Sequence, residues 1–342
     1  MRKTILRLFL LAALIAAAIG SYLYFRVISP VIVEGEAVEL RIPTGSSFDD
    51  VINLLQEANV LEDEAAFTLL AERMNYVRNP MRPGRYILPT GTTMVQAIRL
   101  LRNGPQTPVN VILASEREPM NVAAKVAQYL EADSIDFVQL FQDQAYLDSI
   151  GYSKETLMTL FIPNTYELFW NTSPRGFIKR MLREHEKFWG QNNRLGKAEA
   201  LGYSPQEIYT LASIIEKETL RNDEKKRMAG VYHNRLKQGM LLQADPTAVF
   251  ATRDFNTPRV LNRHIQFDSP YNTYRYVGLP PGPIFMSSIG SIDAALSPEQ
   301  HDYIFFCARG DGSGYHNFAE TISGHGRNKR IYVENLKRRG LR

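Results

Sequence analysis

Ser204-Pro205-Gln206-Glu207-Ile208-Tyr209-Thr210-Leu211-Ala212-Ser213-Ile214-Ile215-Glu216-Lys217-Glu218 reads as one amphipathic helix. Ser204 is a helix N-cap, Pro205 suits the first helical position and Glu207 completes a capping box. Ile208, Leu211, Ala212 and Ile215 recur at the i, i+3, i+4, i+7 spacing of a buried stripe. Two glutamates close the helix. At about 100° per residue, Glu218 falls about 20° from Leu211 and about 40° from Ile214, at the edge of the stripe. Glu216 falls on the opposite margin, beside Ala212, and Lys217 points away. A carboxyl at an apolar margin loses hydration and its pKa rises, as a general acid near neutral pH requires. The helix C-terminus also disfavours negative charge there. Periodicity by itself favours a plainer alternative, in which both glutamates are surface ions paired with Lys217, Arg221 or Lys225.

Downstream, Glu224 to Leu236 has the pattern of a second helix burying Met228, Val231, Tyr232 and Leu236, with Gly239 as its stop. Asn234 and Arg235 lie beyond the centre of that stripe. Upstream there is an internal repeat. Ile42-Pro43-Thr44-Gly45-Ser46-Ser47 is echoed by Leu88-Pro89-Thr90-Gly91-Thr92-Thr93. Each copy follows a strand-like stretch, 37–42 or 84–88, and precedes a helical pattern. Val51, Leu54 and Leu55 share a face in the first helix, and Ala97, Leu100 and Leu101 in the second. Ser47 with Asp50, and Thr93 with Gln96, are helix-start pairs at matching positions. Asp63 to Arg73 reads as a further helix. The result is a small α+β module over residues 36–112. A strand at 109–113 then leads into helices around 122–130 and 135–141. Residues 171–200 read as a polar, solvated helical face. The fold class is α+β, with a mixed α/β domain over residues 113–342.

The 342 residues are 44% hydrophobic, enough for two cores. Arg2, Lys3 and Arg7 precede a charge-free run from Leu8 to Phe25. As a helix that run reaches about 27 Å, close to the hydrocarbon thickness of a bilayer. Tyr22, Tyr24 and Phe25 suit the interface, and the leading positive charges favour a cytoplasmic N-terminus. Residues 1–7 are therefore expected in the cytoplasm and 8–25 as a single transmembrane anchor in the inner (plasma) membrane, with the remainder outside the cytoplasm. The alternative is a cleaved signal peptide, with Ala16-Ala17-Ala18 as the small-residue site.

The net charge of +4, from 40 basic and 36 acidic residues, does not argue for nucleic acid. Cys307, the single cysteine, excludes an intramolecular disulfide and reads as a buried strand thiol. There is no HExxH pattern, no phosphate loop ending in GK[ST] and no GxSxG elbow, so neither a metal nor a cofactor is predicted. The basic tail 327–342 reads as an amphipathic helix docked through Ile331, Val333 and Leu336.

Four blocks carry a likeness to a known family. They are Leu211 to Thr219; Leu242-Gln243-Ala244-Asp245-Pro246-Thr247; Ser269-Pro270-Tyr271-Asn272-Thr273-Tyr274 with Gly278 to Ile284; and His316-Asn317-Phe318 with Thr321 and His325. In this order they resemble the YceG-like, MltG-type endolytic murein transglycosylases. The resemblance extends to the N-terminal run and to the duplicated module, which in that family is LysM-like. It implies that Glu218 is the catalytic residue. It also implies a substrate, the β-1,4 bond between N-acetylmuramic acid and N-acetylglucosamine in peptidoglycan glycan strands, and peptidoglycan synthases as partners. One departure is Asn164, where relatives often carry Asp.

Sugar rings offer apolar C–H faces and a rim of hydroxyls. Tyr271, Asn272, Thr273 and Tyr274, together with Gln243, Asp245 and Thr247, supply matching aromatic, amide and hydroxyl groups. Tyr166 and His316 are further candidates. His316 is expected in a hairpin after the 310–314 glycine-rich turn. For each of these a turn or core role is the competing reading. Asp before Pro, as at Asp245, also favours a plain turn. A two-carboxylate muramidase-type hydrolase would need Asp245 or Asp268 beside Glu218. A non-catalytic glycan-binding scaffold of the envelope would need neither.

Overall fold

The computed structural model describes residues 2–28, 31, 36–61 and 63–341. The chain divides into two compact units. One is Met1–Asn110 with Tyr129–Glu131 and Glu167–Thr172; the other is Val111–Gln128, Ala132–Tyr166 and Ser173–Arg342.

The first unit begins with α1 (Arg2–Ile28). Leu8, Phe9, Leu10, Leu11, Leu14, Ile15 and Ile19 on it are all more than half exposed. Among the described residues no helix is long and apolar enough to cross a membrane. The expected span over 8–25 is therefore not established by the fold. There follow β1 (Val38–Ile42), α2 (Phe48–Glu57), α3 (Glu64–Arg73), β2 (Gly84–Leu88) and α4 (Met94–Asn103). The two copies of the repeat meet through their strands, β1 antiparallel to β2 with Val38 opposite Leu88 and Ile42 opposite Gly84. Their turns are built alike. Gly45 and Gly91 have φ of +90° and +82°, a left-handed conformation that glycine adopts without strain. The Ser46 and Thr92 hydroxyls donate to the carbonyls of Pro43 and Pro89 at 2.8 and 2.5 Å. Both expected capping boxes form, Ser47 with Asp50 and Thr93 with Gln96. Leu40, Ile42, Val51, Leu55, Tyr86, Leu88 and Ile98 make the core.

β3 (Val109–Leu113) and β4 (Asn164–Leu168) form a second two-stranded sheet. In the larger unit come α5 (Pro119–Ala127), α6 (Ser134–Gln142), α7 (Gln144–Ser149), α8 (Pro174–Gly190) and α9 (Arg194–Leu201). The segment 171–200 is not merely a solvated face. α8 buries Phe177, Ile178, Met181, Phe188 and Trp189, because its apolar residues return at helical spacing between the charges.

At the centre lies α10 (Pro205–Glu218), started by the Ser204–Glu207 capping box. It is more deeply placed than one stripe requires: every residue from Ile208 to Ile215 is buried. The polar ones are all satisfied. The Tyr209 hydroxyl donates to the Phe161 carbonyl at 2.7 Å, and Ser213 donates to the Thr210 carbonyl while accepting the Ile284 N–H. Around it stand α11 (Lys225–Lys237), α12 (Asp245–Thr252) and α14 (Ile289–Ala295), with the short α13 (Asn262–Ile265) beside α12. The hairpin of β5 (Phe305–Ala308) and β6 (His316–Ala319) pairs Ala308 with His316. α15 (Ile322–Arg338) closes the chain. Cys307 is half-buried in β5 rather than fully enclosed.

Candidate active site

The two glutamates at the end of α10 have opposite surroundings. Glu216 accepts hydrogen bonds from the Ser288 and Ser291 hydroxyls, both at 2.5 Å, and from Lys225 Nζ at 3.1 Å. Burial pushes its carboxyl up, but these donors and the Lys225 charge outweigh it and hold it below the ordinary carboxylate range. Glu216 is thus a structural anion that ties α10 to α11 and to the start of α14.

Glu218 has one strong partner, the Tyr232 hydroxyl of α11, which donates to Oε1 at 2.7 Å. Burial pushes its carboxyl up to about 7; Tyr232 and Arg235 oppose the rise and the Asp245 charge adds to it. Tyr232 is itself fully buried and packs edge-on against Phe306 at 5.9 Å. The donor is therefore fixed before any ligand arrives.

Two hollows meet at Glu218, and Asp245 lines both. The first, about 340 Å³, is walled by Phe250, Phe255 and Phe285 with Arg117, Lys217 and Arg259. The second, about 440 Å³, is walled by Arg235, Gln243, Tyr274, Phe305, His316 and His325. A shielded carboxyl between two open hollows with aromatic and polar walls can pass a proton to a chain-like ligand lying across both. Asp245 begins α12, and the Tyr274 hydroxyl donates to its Oδ1 at 2.5 Å.

A family model described as the YceG-like family matches residues 40–331. The chain belongs to the YceG-like family. The endolytic murein transglycosylase of Bacillus subtilis is 27% identical over 332 residues, covering 92% of this chain and 90% of that protein. The protein of the same name from Streptococcus pneumoniae is 25% identical over 327 residues; the match covers 86% of this chain but 58% of the relative. A crystal structure of a YceG-like protein from Listeria monocytogenes superposes with a TM-score of 0.56 at 26% identity, covering 85% of this chain and 98% of that one.

Within this YceG-like site, the fold gathers Gln243, Asp245, Tyr274 and His316 around Glu218. Gln243 is exposed, and its side-chain oxygen accepts from Arg235 Nη1 at 3.4 Å. His316 is held by buried Glu224, which accepts from its backbone N–H and bonds its Nδ1, both at 2.9 Å. The fold does not bring the other candidates to the ligand surface. Thr247 and Thr273 are 0% and 1% exposed and bond each other at 2.7 Å, and Thr273 accepts the Ala244 N–H. They pin the loop to α12. Asn272, 0% exposed, donates to the carbonyls of His264, Ile265 and Phe267 within 3.0 Å. Tyr271 packs on Phe250 at 4.9 Å and lines neither hollow. Tyr166 is buried with its hydroxyl on the Ile162 carbonyl, in a separate hollow that includes Asn164. The sugar-like chemistry of these side chains serves loop carbonyls and packing instead. Asp268 also drops out: it accepts from the Tyr276 hydroxyl at 2.7 Å and lines neither hollow.

Tyr232 was legible only as a core residue of α11, and Phe250, Phe255 and Phe285 carry no periodic signal that points to a ligand. Arg235 is buried, and its guanidinium donates to the carbonyls of Leu241, Leu242 and Ile304. It therefore shapes the second hollow rather than facing solvent. Asn272→Ala is expected to destabilise the protein by about 2–4 kcal/mol, because three buried carbonyls lose their donor. Thermal denaturation checks this, and an unchanged Tm would return Asn272 to the ligand-binding set.

Proposed function

We propose that this chain is a peptidoglycan lytic transglycosylase that cleaves glycan strands internally. The observation that carries the proposal is the Glu218 carboxyl, raised to about 7 and set where the two hollows meet. The names of the relatives from Bacillus subtilis and Streptococcus pneumoniae support the substrate class. In this reading protonated Glu218 gives its proton to the oxygen between N-acetylmuramic acid and N-acetylglucosamine as that bond breaks. An oxocarbenium-like sugar forms. The Glu218 carboxylate then takes the proton of the muramyl 6-hydroxyl as its oxygen attacks C1. The product is a 1,6-anhydro end, and no water is consumed. One carboxyl suffices, whereas most glycoside hydrolases use two.

Mass spectrometry of the released fragments tests the proposal. Anhydro ends are expected. Fragments heavier by one water would make Asp245, which shares both hollows, the base of a hydrolase. Strand binding with no fragments at all would make the chain a scaffold.

The pH profile follows from the same group. The reaction starts from protonated Glu218, so kcat/KM should be flat below pH 7 and fall above it, by about 100-fold two units higher. Donation from Tyr232 favours the carboxylate form. Tyr232→Phe should therefore move the falling limb to higher pH, and a limb that stayed in place or moved down would contradict the assignment. The proposal includes attachment of the chain to the plasma membrane with the larger unit outside the cytoplasm. Its support is the charge-free run and the exposed apolar side chains of α1.

A further inference from the structure

The two hollows that meet at Glu218 differ in charge. The second holds Arg235, whose Nε and Nη1 donate to the backbone carbonyls of Ile304, Leu241 and Leu242, and His316, which is held by Glu224. The first is lined by Arg117, Lys217 and Arg259, and among the described residues none of the three forms an ion pair. Two of them lie against aromatic rings of the same wall: the Arg117 guanidinium is 3.8 Å from the centre of Phe255, and Lys217 Nζ is 4.5 Å from that of Phe285. Ring faces hold cations without neutralising them. Among the described residues the acidic groups on that wall are Glu218, about half protonated at neutral pH because burial raises its carboxyl to about 7, and Asp245, which accepts the Tyr274 hydroxyl. Three cations without an acid partner around one hollow form an anion site.

A glycan backbone of N-acetyl sugars is neutral. The anions of a murein strand are carboxylates on its muramyl residues: the lactyl group when it is free, or the peptide stem when one is attached. We infer that Arg117, Lys217 and Arg259 form a carboxylate subsite that holds a muramyl residue by its acidic substituent, on the side of Glu218 walled by Phe255 and Phe285. The inference rests on the murein reading of the preceding section. It makes substrate choice depend on charge as well as on sugar identity, and it fixes which way a strand lies across the carboxyl.

Three strand preparations test it: stem-bearing, stem-stripped with free lactyl groups, and stem-bearing with the carboxylates converted to amides. Binding is measured to the full chain carrying Glu218→Gln, with and without Arg117→Gln, Lys217→Gln and Arg259→Gln together. With the three cations intact, at least one charged preparation should bind about 10-fold or more tightly than the amidated one at low salt. The triple variant should bring that ratio to about 1. The preparation that shows the preference identifies the source of the anion. Lys217→Gln alone, at an exposed position, provides a second variant that should lower the ratio by about 2- to 3-fold. A ratio near 1 with the cations intact, or a ratio unmoved by the triple variant, would overturn the subsite. Cleavage plays no part in this readout. If the chain carrying Glu218 failed to cut any strand, the enzymatic reading would fall while the binding ratio still decided the subsite.

Discussion

Glu218→Gln is expected to lower kcat for strand cleavage by roughly 100- to 10,000-fold while changing strand affinity by less than about 3-fold. Gln keeps the shape of Glu and can still meet the Tyr232 hydroxyl through its amide oxygen, so the walls of both hollows stay in place. What it loses is the exchangeable proton. In the native protein that proton is held by desolvation: burial raises the carboxyl to about 7 against the opposing pull of Tyr232 and Arg235. A group poised there gives and takes a proton near neutral pH with little driving force lost in either direction. Asp245→Asn is the matched control, because Asp245 lines the same hollows. In the one-carboxyl scheme it should cost far less than Glu218→Gln. Equal losses from the two variants would favour a two-carboxylate hydrolase, and retained cleavage by Glu218→Gln would remove the mechanism.

The second large effect lies two residues away and concerns stability. Glu216→Ala leaves the Lys225 ammonium, 5% exposed, without its carboxylate, and leaves the Ser288 and Ser291 hydroxyls without their acceptor. Removing one member of a buried pair costs about 3 kcal/mol or more, because the other charge stays buried and uncompensated. For a chain of this length unfolding as a whole, Tm should fall by about 4 °C or more. Glu216→Gln, which keeps an acceptor for the serines, should cost less. Glu216→Ala with Lys225→Met should recover much of the loss, as expected when both partners are replaced by apolar groups. The pH dependence has a definite sign. The folded carboxyl is held below its ordinary value of 4.5, so its contribution is present above that range and is lost as pH falls through it. Denaturation curves of the native protein and Glu216→Ala should therefore converge in acid. Curves that stayed equally far apart from pH 7 down to acid would show that the ion pair is not what Glu216 supplies.

Much of the architecture was legible locally. The caps at Ser47, Thr93 and Ser204 formed as read, because a capping box needs only four consecutive residues and the orphan N–H groups of one helix end. The hairpin at His316 was legible from its glycine-rich turn, where Gly310, Gly312 and Gly314 all have positive φ. Binding residues were read less well. Asn272, Thr247 and Thr273 have the chemistry that greets a sugar, and the same chemistry satisfies buried loop carbonyls and N–H groups. Composition cannot separate these uses, since the competing partners come from segments up to 29 residues away.

The sequence by itself determined that an amphipathic helix ends in two carboxylates at the margins of a buried face, and that this helix sits among blocks of the YceG-like pattern. The resemblance pointed to Glu218, but what surrounds each carboxylate was decided only by tertiary structure. Ser291, 75 residues along the chain from Glu216, and Lys225 bring donors and a charge to Glu216, while Glu218, among the described residues, receives Tyr232 alone and opens onto two hollows. Helical periodicity fixes the direction in which a side chain leaves its helix. The pKa depends on what other elements place around that side chain, and those elements are distant in sequence.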